Sequence, residues 1–300
     1  MHSDLVELGW SEEHLHRIEA VVSEEAQRAR VGAQILGLAG PVDAATTAIP
    51  RYSLTPRANA LPSPPFARQR LEVCSDPDLY FTRIAVNVHL RMQEAAEPSL
   101  QAALTMFRRA ANYIARIEDA LIFNGRPGPN AAPGFGVGAI PDVYTISGEG
   151  VAEGIIPLVT PAGDRSYIRI PVAAGTPVGE MIVTAVNESI TQLDEAGQLG
   201  PYACALAPDL FEAICTPNGN LVMPRDRILP LLQGPLVRAS TICRGHGVVV
   251  ALSANPVELV VGSDIGVRFL QTNEQPRLVF QVYERVAVRI KESAAIAIMN

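Results

Sequence analysis

The chain has 300 residues and a formal net charge of -7, with 24 lysines and arginines against 31 aspartates and glutamates. This acidic balance argues against a nucleic-acid partner, because the phosphate backbone binds clustered basic side chains. No apolar run approaches the roughly 20 residues that cross a bilayer, so no membrane partner is expected. The four cysteines are scattered and the start has no signal-like segment, which together predict a reduced, cytoplasmic protein.

The first predicted helix covers residues 11–30, with Ser11 as its N-cap and acidic residues in its first turn. Leu15, Ile18 and Val22 recur at helical spacing and form a narrow apolar stripe on an otherwise charged cylinder. So narrow a stripe predicts a helix that lies on a surface. Both packing on its own subunit and docking of another protein fit this pattern.

A Pro-rich stretch follows at residues 50–77, where proline excludes a helix and no core is evident. Residues 80–92 alternate in the manner of a strand, and residues 68–73 are the predicted partner. The result is a long hairpin with Pro-rich flanks. Segments of this kind are uncommon in compact monomers and are usually functional or ordered by a partner.

The strongest helix signal covers residues 100–124, with Ser99 as the predicted N-cap and Gly125 as the stop. Such a helix is roughly 37 Å long and needs a sheet or other helices along it. Its apolar positions fall three and four residues apart on one face: Leu100, Leu104, Phe107, Ala111, Ile114, Ile117 and Leu121.

The second half of the chain predicts a mixture of short strands and helices. Strands are predicted at 143–146, 154–160, 166–171 and 202–207, helices at 175–198, 208–215 and 224–233, and three or four short strands within 235–270. The final strand, residues 277–290, is about as long as the helix at 100–124 and alternates apolar with polar residues, except for an interruption at Glu284.

No residue pattern predicts an active site or a metal site. The glycine-rich residues 134–138 neither follow a strand nor open a helix, as a phosphate-binding loop does. Cys243 and His246 lack the second pair of ligands that structural zinc requires. Ser263 and Asp264 lie outside any nucleophile motif. We therefore expect no catalytic residue and no metal, and the protein is not expected to be an enzyme.

The order of these elements resembles the encapsulins, bacterial and archaeal shell proteins also known as the linocin or bacteriocin family. The residues that carry the resemblance are 8–41 with Gly40-Pro41, residues 117–125, Gly200-Pro201-Tyr202, and residues 261–266 with the final strand and the apolar ending. The similarity spans nearly the whole chain. It implies an α+β architecture with the tailed-bacteriophage major capsid-like fold.

The resemblance also implies a division into four parts and a closed assembly. The parts are an N-terminal helix and arm (1–43), an extended loop hairpin (44–95), a peripheral domain with the long spine helix (96–125 and 253–300), and an axial domain (126–252). The hairpin would reach across neighbouring subunits in an icosahedral shell of about 60 identical subunits or a multiple.

Two sites follow from the resemblance. Leu15, Ile18 and Val22 would line part of a groove that holds a short C-terminal peptide of a cargo enzyme, such as a dye-decolourising peroxidase or a ferritin-like, iron-handling protein. The turn that contains Asp194, Glu195 and Gly197 would form the fivefold pore loop, where acidic side chains favour cations.

Two features depart from the family pattern. Residues 126–178 are longer than expected of the small encapsulins, which implies an extra hairpin and a different shell size. Some members hold flavin on a tryptophan near the end of the hairpin's second strand, but Arg91 stands there in this chain. No cofactor is therefore expected.

Three other interpretations stay open. A phage or prophage capsid protein would share the fold and enclose DNA, although the net acidity argues against it. A secreted bacteriocin or protease would need the missing signal segment and nucleophile motif. A monomeric two-domain α/β binding protein would require the Pro-rich hairpin to fold back on its own chain.

Overall fold

The computed structural model describes residues 10, 12–43, 45–57, 70–125, 143–148, 154–156, 165–171, 175–217, 222–272 and 277–300. Its helices are α1 (Glu12–Ala29), α2 (Gly32–Ile35), α3 (Met92–Ala95), α4 (Gln101–Asn124), α5 (Val178–Glu195), α6 (Pro208–Ile214) and α7 (Pro224–Leu232), with a 3-10 turn at Ser293–Ala295. Its strands are β1 (Gly37–Ala39), β2 (Ala48–Arg57), β3 (Arg70–Tyr80), β4 (Thr82–Arg91), β5 (Tyr144–Ser147), β6 (Ser166–Ile168), β7 (Tyr202–Leu206), β8 (Leu236–Arg238), β9 (Gly247–Ala251), β10 (Val257–Thr272), β11 (Arg277–Ile290) and β12 (Ile296–Met299).

The first of two five-stranded sheets supports the long helix α4, here called the spine helix. Its strands lie in the order β1, β10, β11, β4 and β5, with β1 parallel to β10 and the other neighbours antiparallel. The spine helix packs across β4 and β11, while α1 packs on the spine helix and on β10. All seven predicted stripe positions of the spine helix are buried. The amphipathic prediction for this helix is thus confirmed.

The start of the spine helix differs from the prediction. The helix follows Leu100, which has a left-handed backbone at φ 51° and provides no side-chain cap. Ser99 instead donates its hydroxyl hydrogen bond to the carboxylate of Glu97. The prediction of Ser99 as the N-cap is therefore wrong, because the helix begins one residue later and the carboxylate of Glu97 accepts the backbone N–H bonds of Gln101 and Ala102.

The end of the spine helix is closed by a second segment of the chain. Gly125 stops the helix at φ 76°, as predicted. The N–H groups of Ile155 and Ile156 donate to the carbonyls of Ile122 and Phe123 at 2.9 and 2.7 Å, which satisfies two acceptors that a helix end leaves open. Residues 154–156 thus form a cap rather than the start of the predicted strand at 154–160.

The second sheet contains β6, β12, β9, β7 and β8 in that order, and α5 packs on β6, β9 and β12. Helices α6 and α7 pack against α5. The observed α5, β7, α6 and α7 confirm the predicted elements with shifts of a few residues at their ends. A separate apolar core lies between this sheet and its helices, with Ile182, Val186, Leu206, Ile228 and Val249 among its buried members.

The predicted hairpin has a different second strand. β2 pairs with β3 in a two-stranded sheet of its own, while β4 pairs with β11 and β5 in the first sheet. The predicted pairing of residues 80–92 with 68–73 is wrong. The physical reason is burial, because Ile84, Val86, Val88 and Leu90 face the spine helix core, which a solvent-exposed hairpin would not offer.

The two last long strands are continuous. Three strands, β8, β9 and β10, begin in the region where three or four short strands were predicted, but β10 is long, with 16 residues, and β11 has 14. Glu284 does not interrupt β11, because it occupies the inward-facing position between Val282 and Val286 and is fully buried. The interruption in the sequence is therefore a buried carboxylate, not a bend.

The sheets do not follow the predicted four-part division at four strands. β1 was assigned to the N-terminal helix and arm, yet it pairs with β10 in the first sheet. β4 was assigned to the extended hairpin and β5 to the axial domain, yet both belong to the first sheet. β12 was assigned to the peripheral domain but pairs with β6 and β9 in the second sheet. Ser11, residues 68–69, the 134–138 loop and residues 157–160 lie outside the described residues.

Candidate functional site

The predicted docking stripe lies mostly inside the subunit. Ile18 and Val22 are each 1% exposed and belong to the core between α1, the spine helix and the first sheet. The expectation that they line an open groove does not hold in this conformation, because the spine helix already covers them. Leu15 is half-buried at the edge of the same core and remains accessible.

A buried charge cluster, Arg30 with Glu118, Glu284 and Asp264, joins four elements at the end of α1. The Arg30 Nε lies 2.7 Å from the Glu118 Oε2, Nη2 lies 2.5 Å from the Glu284 Oε2, and Nη1 lies 3.2 Å from the Asp264 Oδ1. The side chains of Glu118 and Glu284 are fully buried, whereas that of Asp264 is 63% exposed. One guanidinium thus ties the first helix to the spine helix and to the β10–β11 pair.

Burial dominates the protonation of this cluster. Burial raises the pKa of Glu118 well above its usual value, and the neighbouring Glu284 raises it further. Burial also raises the pKa of Glu284, against the opposing attraction of Arg30. Burial lowers the pKa of Arg30, but Glu118 and Glu284 together place it above the usual range, so Arg30 stays charged.

Asp119 extends the cluster through backbone contacts. Its carboxylate accepts hydrogen bonds from the N–H groups of Val31 at 3.0 and 3.1 Å and of Gly32 at 2.7 Å. These bonds fix the turn between α1 and α2 on the spine helix. Burial raises the pKa of Asp119 to about 7, and the two backbone donors only partly oppose this shift.

A small pocket of about 220 Å³ opens beside the cluster. Its lining combines Arg30, Glu118 and Asp264 with apolar side chains, among them Leu38 and Val286. Leu38 is 64% exposed. A pocket with an apolar wall and charged groups at one side can hold a short peptide segment better than a purely polar ligand.

The predicted pore turn is a well-tied loop at the end of α5. Asp194 accepts a hydrogen bond from the Tyr202 hydroxyl, and burial together with Asp194 raises the pKa of Tyr202 to about 12. Gly197 has φ 77° and faces open space, which suits the turn. Glu195 is exposed. The loop therefore presents Glu195 to solvent and holds Asp194 against a tyrosine.

Among the described residues, the β2–β3 hairpin contacts the rest of its subunit near its base and through Tyr52, whose ring centre lies 5.4 Å from the Arg289 guanidinium carbon and 5.9 Å from the Lys291 Nζ. Ile49, Leu79 and Phe81 pack with Val260 and Ala287 in a small separate core. Further along the hairpin Val73 is 60% exposed, and near its base Tyr80 is 41% exposed. A two-stranded hairpin without a covering layer is at best marginally stable in water.

The other candidate chemistries find no support in the geometry. Asp264 contacts Arg30 and the Ile265 N–H rather than a histidine. The His246 N–H donates to the Cys243 carbonyl in a tight turn. Within the described part of the chain, no group of three His, Cys, Asp or Glu is placed to hold a metal. No described helix has the length and apolarity needed to cross a membrane.

Sequence reasoning missed the charge cluster as a unit. Its members lie far apart, with Arg30 and Glu284 separated by 254 positions. The available signals were the acidic pair Glu118 and Asp119 at the apolar end of the spine helix and the acidic break in the final strand. Neither pattern indicates that Arg30 is the partner of these carboxylates, because the ion pairs depend on the tertiary fold.

Comparison with known proteins agrees with this architecture. Residues 150–287 match the family described as encapsulating protein for peroxidase. The chain is 25% identical over 300 residues to the type 1 encapsulin shell protein EncA of Myxococcus xanthus, covering 96% of this chain and 93% of that protein.

Solved structures show the same fold at low identity. The virus-like particle from Pyrococcus furiosus matches with a TM-score of 0.63 at 13% identity, over 96% of this chain and 100% of that one. The SrpI encapsulin of Synechococcus elongatus matches at 0.54 and 11% identity, over 88% and 84% of the two chains. The capsid of the Myoviridae phage XM1 matches at 0.55 and 11% identity, over 88% of each chain.

The fold is therefore that of tailed-phage capsid proteins, and the sequence similarity lies with shell proteins rather than with catalysts. The chain is thus similar in sequence to an encapsulin shell protein over most of its length and shares the fold of capsid and encapsulin subunits.

Proposed function

We propose that the chain assembles into a closed icosahedral shell of about 60 identical subunits, or a multiple of that number, in the cytoplasm. The shell would enclose a cargo enzyme and separate its reaction from the surroundings. Similarity to the Myxococcus xanthus shell protein over 96% of this chain supports this function. The four-part division of the subunit stays part of the proposal, with β1, β4, β5 and β12 assigned by their sheets.

The observation that carries the proposal is the exposure of Val73 on the β2–β3 hairpin. Strands of 10 and 11 residues extend roughly 33 Å at about 3.3 Å per residue. Among the described residues, the hairpin packs on its own subunit at its base and at Tyr52, and Val73 lies exposed beyond these contacts. A neighbouring subunit would supply the missing layer, since exposed apolar side chains on an unsupported hairpin are otherwise unfavourable.

The test compares the particle mass of the wild-type chain with that of Val73→Asp. If Val73 becomes buried between subunits, a charge there must be desolvated, so shells should be lost or strongly weakened. Val73→Thr is the matched control, because it keeps the branched shape without a charge. Analytical ultracentrifugation should show large particles for the wild type and the control. A wild-type chain that sediments as a 32.1 kDa monomer would refute the proposal.

The proposed cargo is a peroxidase, supported by the description of the matching family, and a ferritin-like or iron-handling enzyme is the alternative. The cargo would bind through a short C-terminal peptide in the pocket beside Arg30, with Leu15 at a neighbouring exposed edge. The apolar wall at Leu38 supports a peptide rather than a small polar ligand. In shells co-expressed with such a peroxidase, Leu38→Asp should reduce co-purified cargo while shells persist. Unchanged cargo loading would exclude this pocket.

We further propose that the turn with Asp194, Glu195 and Gly197 lines a pore at the fivefold axis. Glu195 would provide the exposed negative charge, while Asp194 holds the turn through Tyr202. Glu195→Gln should slow entry of a small cationic substrate more than entry of a neutral one of equal size. Glu188→Gln, an exposed change earlier on α5, serves as the control. Equal effects of both changes would contradict the role of Glu195.

A further inference from the structure

An open groove of about 620 Å³ runs between α1 and the spine helix, on the polar side of both. Arg28 lines it from α1, while Arg108, Arg109 and Arg116 line it from the spine helix. Positions 108, 112 and 116 are four residues apart, so they form one row along the helix surface. On a chain with an overall charge of -7, this groove is a local concentration of positive charge.

The carboxylate that lines this groove among the described residues is already bound. Glu25 accepts hydrogen bonds from the Arg28 Nη2 at 2.8 and 2.7 Å. Its Oε1 also accepts one from the Asn112 Nδ2 at 3.1 Å. Glu25 therefore neutralises Arg28 and has little capacity left for the arginines of the spine helix.

Arg108 and Arg109 of the spine helix have no acidic partner in the described part of the chain. The Arg109 Nε donates to the Tyr113 hydroxyl at 2.7 Å, and its guanidinium lies 5.7 Å from the centre of the Tyr113 ring. These contacts hold the Arg109 side chain along the helix, where it lines the groove. Arg108 is exposed beside it. Both guanidinium groups line the same groove, so an anion bound there would be attracted by two positive charges.

We propose that this arginine groove binds a phosphate-bearing ligand. The guanidinium fork matches phosphate oxygens in two-point contacts, and the Tyr113 hydroxyl and Asn112 amide lie beside it as further polar groups. The described lining contains no aliphatic side chain, so it offers little to the apolar residues of a peptide. Inorganic oligophosphates and the backbone of a short single-stranded nucleic acid share the required chemistry. This proposal goes beyond the proposed function and does not rest on it.

The experiment titrates the purified chain, in the state of assembly it adopts, with inorganic tripolyphosphate in an isothermal calorimeter. Binding should be measurable at low salt and weaken steadily as salt increases. The Arg108→Gln/Arg109→Gln double variant should bind at least about tenfold more weakly. Arg225→Gln, an exposed arginine on α7, is the control and should bind within about twofold of the wild type. Equal losses in both variants, or no binding by the wild type, would overturn the proposal.

Two further probes separate the sources of the phosphate. A tetrathymidylate that binds at the same groove would identify a nucleic-acid backbone as an acceptable ligand, whereas tripolyphosphate binding alone would identify an inorganic oligophosphate. A deca-glutamate peptide that binds as tightly as tripolyphosphate, and loses affinity in the double variant, would contradict a phosphate site and indicate an acidic protein segment instead. Because the titration needs no closed shell, its failure is distinguishable from a failure of assembly.

Discussion

The Arg30 Nη2 lies 2.5 Å from the Glu284 Oε2, so the residue directly after α1 is paired with the middle of β11. The same guanidinium reaches Glu118 on the spine helix. The position of α1 on the subunit is therefore fixed by charge as well as by the apolar contacts of Ile18 and Val22. Removal of the cation should have a large effect, because two fully buried carboxylates depend on it.

Arg30→Met is expected to destabilise the subunit by roughly 3–5 kcal/mol, since it leaves Glu118 and Glu284 buried without a counter-charge. Guanidinium denaturation at fixed subunit concentration measures the loss. The control adds Glu118→Leu and Glu284→Leu, which replaces the cluster with apolar groups of similar size. The triple variant should recover most of the lost stability. If the triple variant is as unstable as the single one, loss of packing rather than uncompensated charge is the cause.

The pH dependence of stability should reflect Asp119. Its pKa is about 7 in the folded chain against an ordinary value of 3.8, so the folded state holds a proton that the unfolded state releases. The contribution of Asp119 is fully present below about pH 4 and is lost as the pH rises through about 7. The free energy of unfolding should therefore fall over this range, by a few kcal/mol at most.

Asp119→Asn provides the matching test, because an amide can still accept the N–H bonds of Val31 and Gly32 without carrying a charge. Relative to the wild type, the variant should become more stable between pH 4.5 and pH 7.5. Denaturation curves at both pH values give the difference. A difference that does not change with pH would show that Asp119 is not protonated in the folded chain.

Gly32 permits the close approach of α2 to the spine helix. A Cβ at this position would lie 2.4 Å from the Ile122 Cδ1. Gly32→Ala should cost about 1–3 kcal/mol from overpacking. Adding Ile122→Val removes that Cδ1. The double variant should therefore lose less free energy of unfolding than Gly32→Ala and Ile122→Val lose in sum, by at least about 0.5 kcal/mol. If the losses of the two single variants add up to the loss of the double variant in denaturation experiments, the contact between position 32 and Ile122 is not the source of the strain.

The single tryptophan reports on the packing of the segment before α1. Trp10 stacks on Phe280 with ring centres 5.0 Å apart, and its Nε1 donates to the Ala95 carbonyl at 2.8 Å. Trp10→Phe keeps a ring but loses the hydrogen bond, which should cost about 1 kcal/mol or somewhat more, because the buried carbonyl is left unpaired. Trp10→Ala should cost about 3–5 kcal/mol. Wild-type fluorescence should be blue-shifted and move to the red on unfolding; emission typical of exposed tryptophan in the native state would contradict this packing.

Local patterns predicted the elements that depend on local physics. The apolar stripe from Leu100 to Leu121 and the alternation of β11 each specify one buried face, and both are observed. The Gly125 stop also follows from local conformational preference. Local patterns do not determine which strands pair with each other. β4 resembles a hairpin strand in isolation, but its burial against the spine helix decides its place in the first sheet.

The candidate sites were less predictable for the same reason. The stripe of Ile18 and Val22 looked too narrow for a core, because the spine helix that covers it lies about 90 positions later in the chain. The sequence indicated that Glu284 interrupts the strand, because it does not show that Arg30 forms an ion pair with this residue. The net charge of the chain likewise gave no indication of the arginine groove, because a total over all residues does not show where basic side chains cluster.

The most direct test of the central claim is electron cryo-microscopy of the purified wild-type chain. The result we expect is closed particles with icosahedral symmetry, in which the β2–β3 hairpin of each subunit lies against a neighbouring subunit and Val73 is buried there. Monomers, or open assemblies in which the hairpin contacts only its own chain, would contradict the claim that this subunit is built to close a shell.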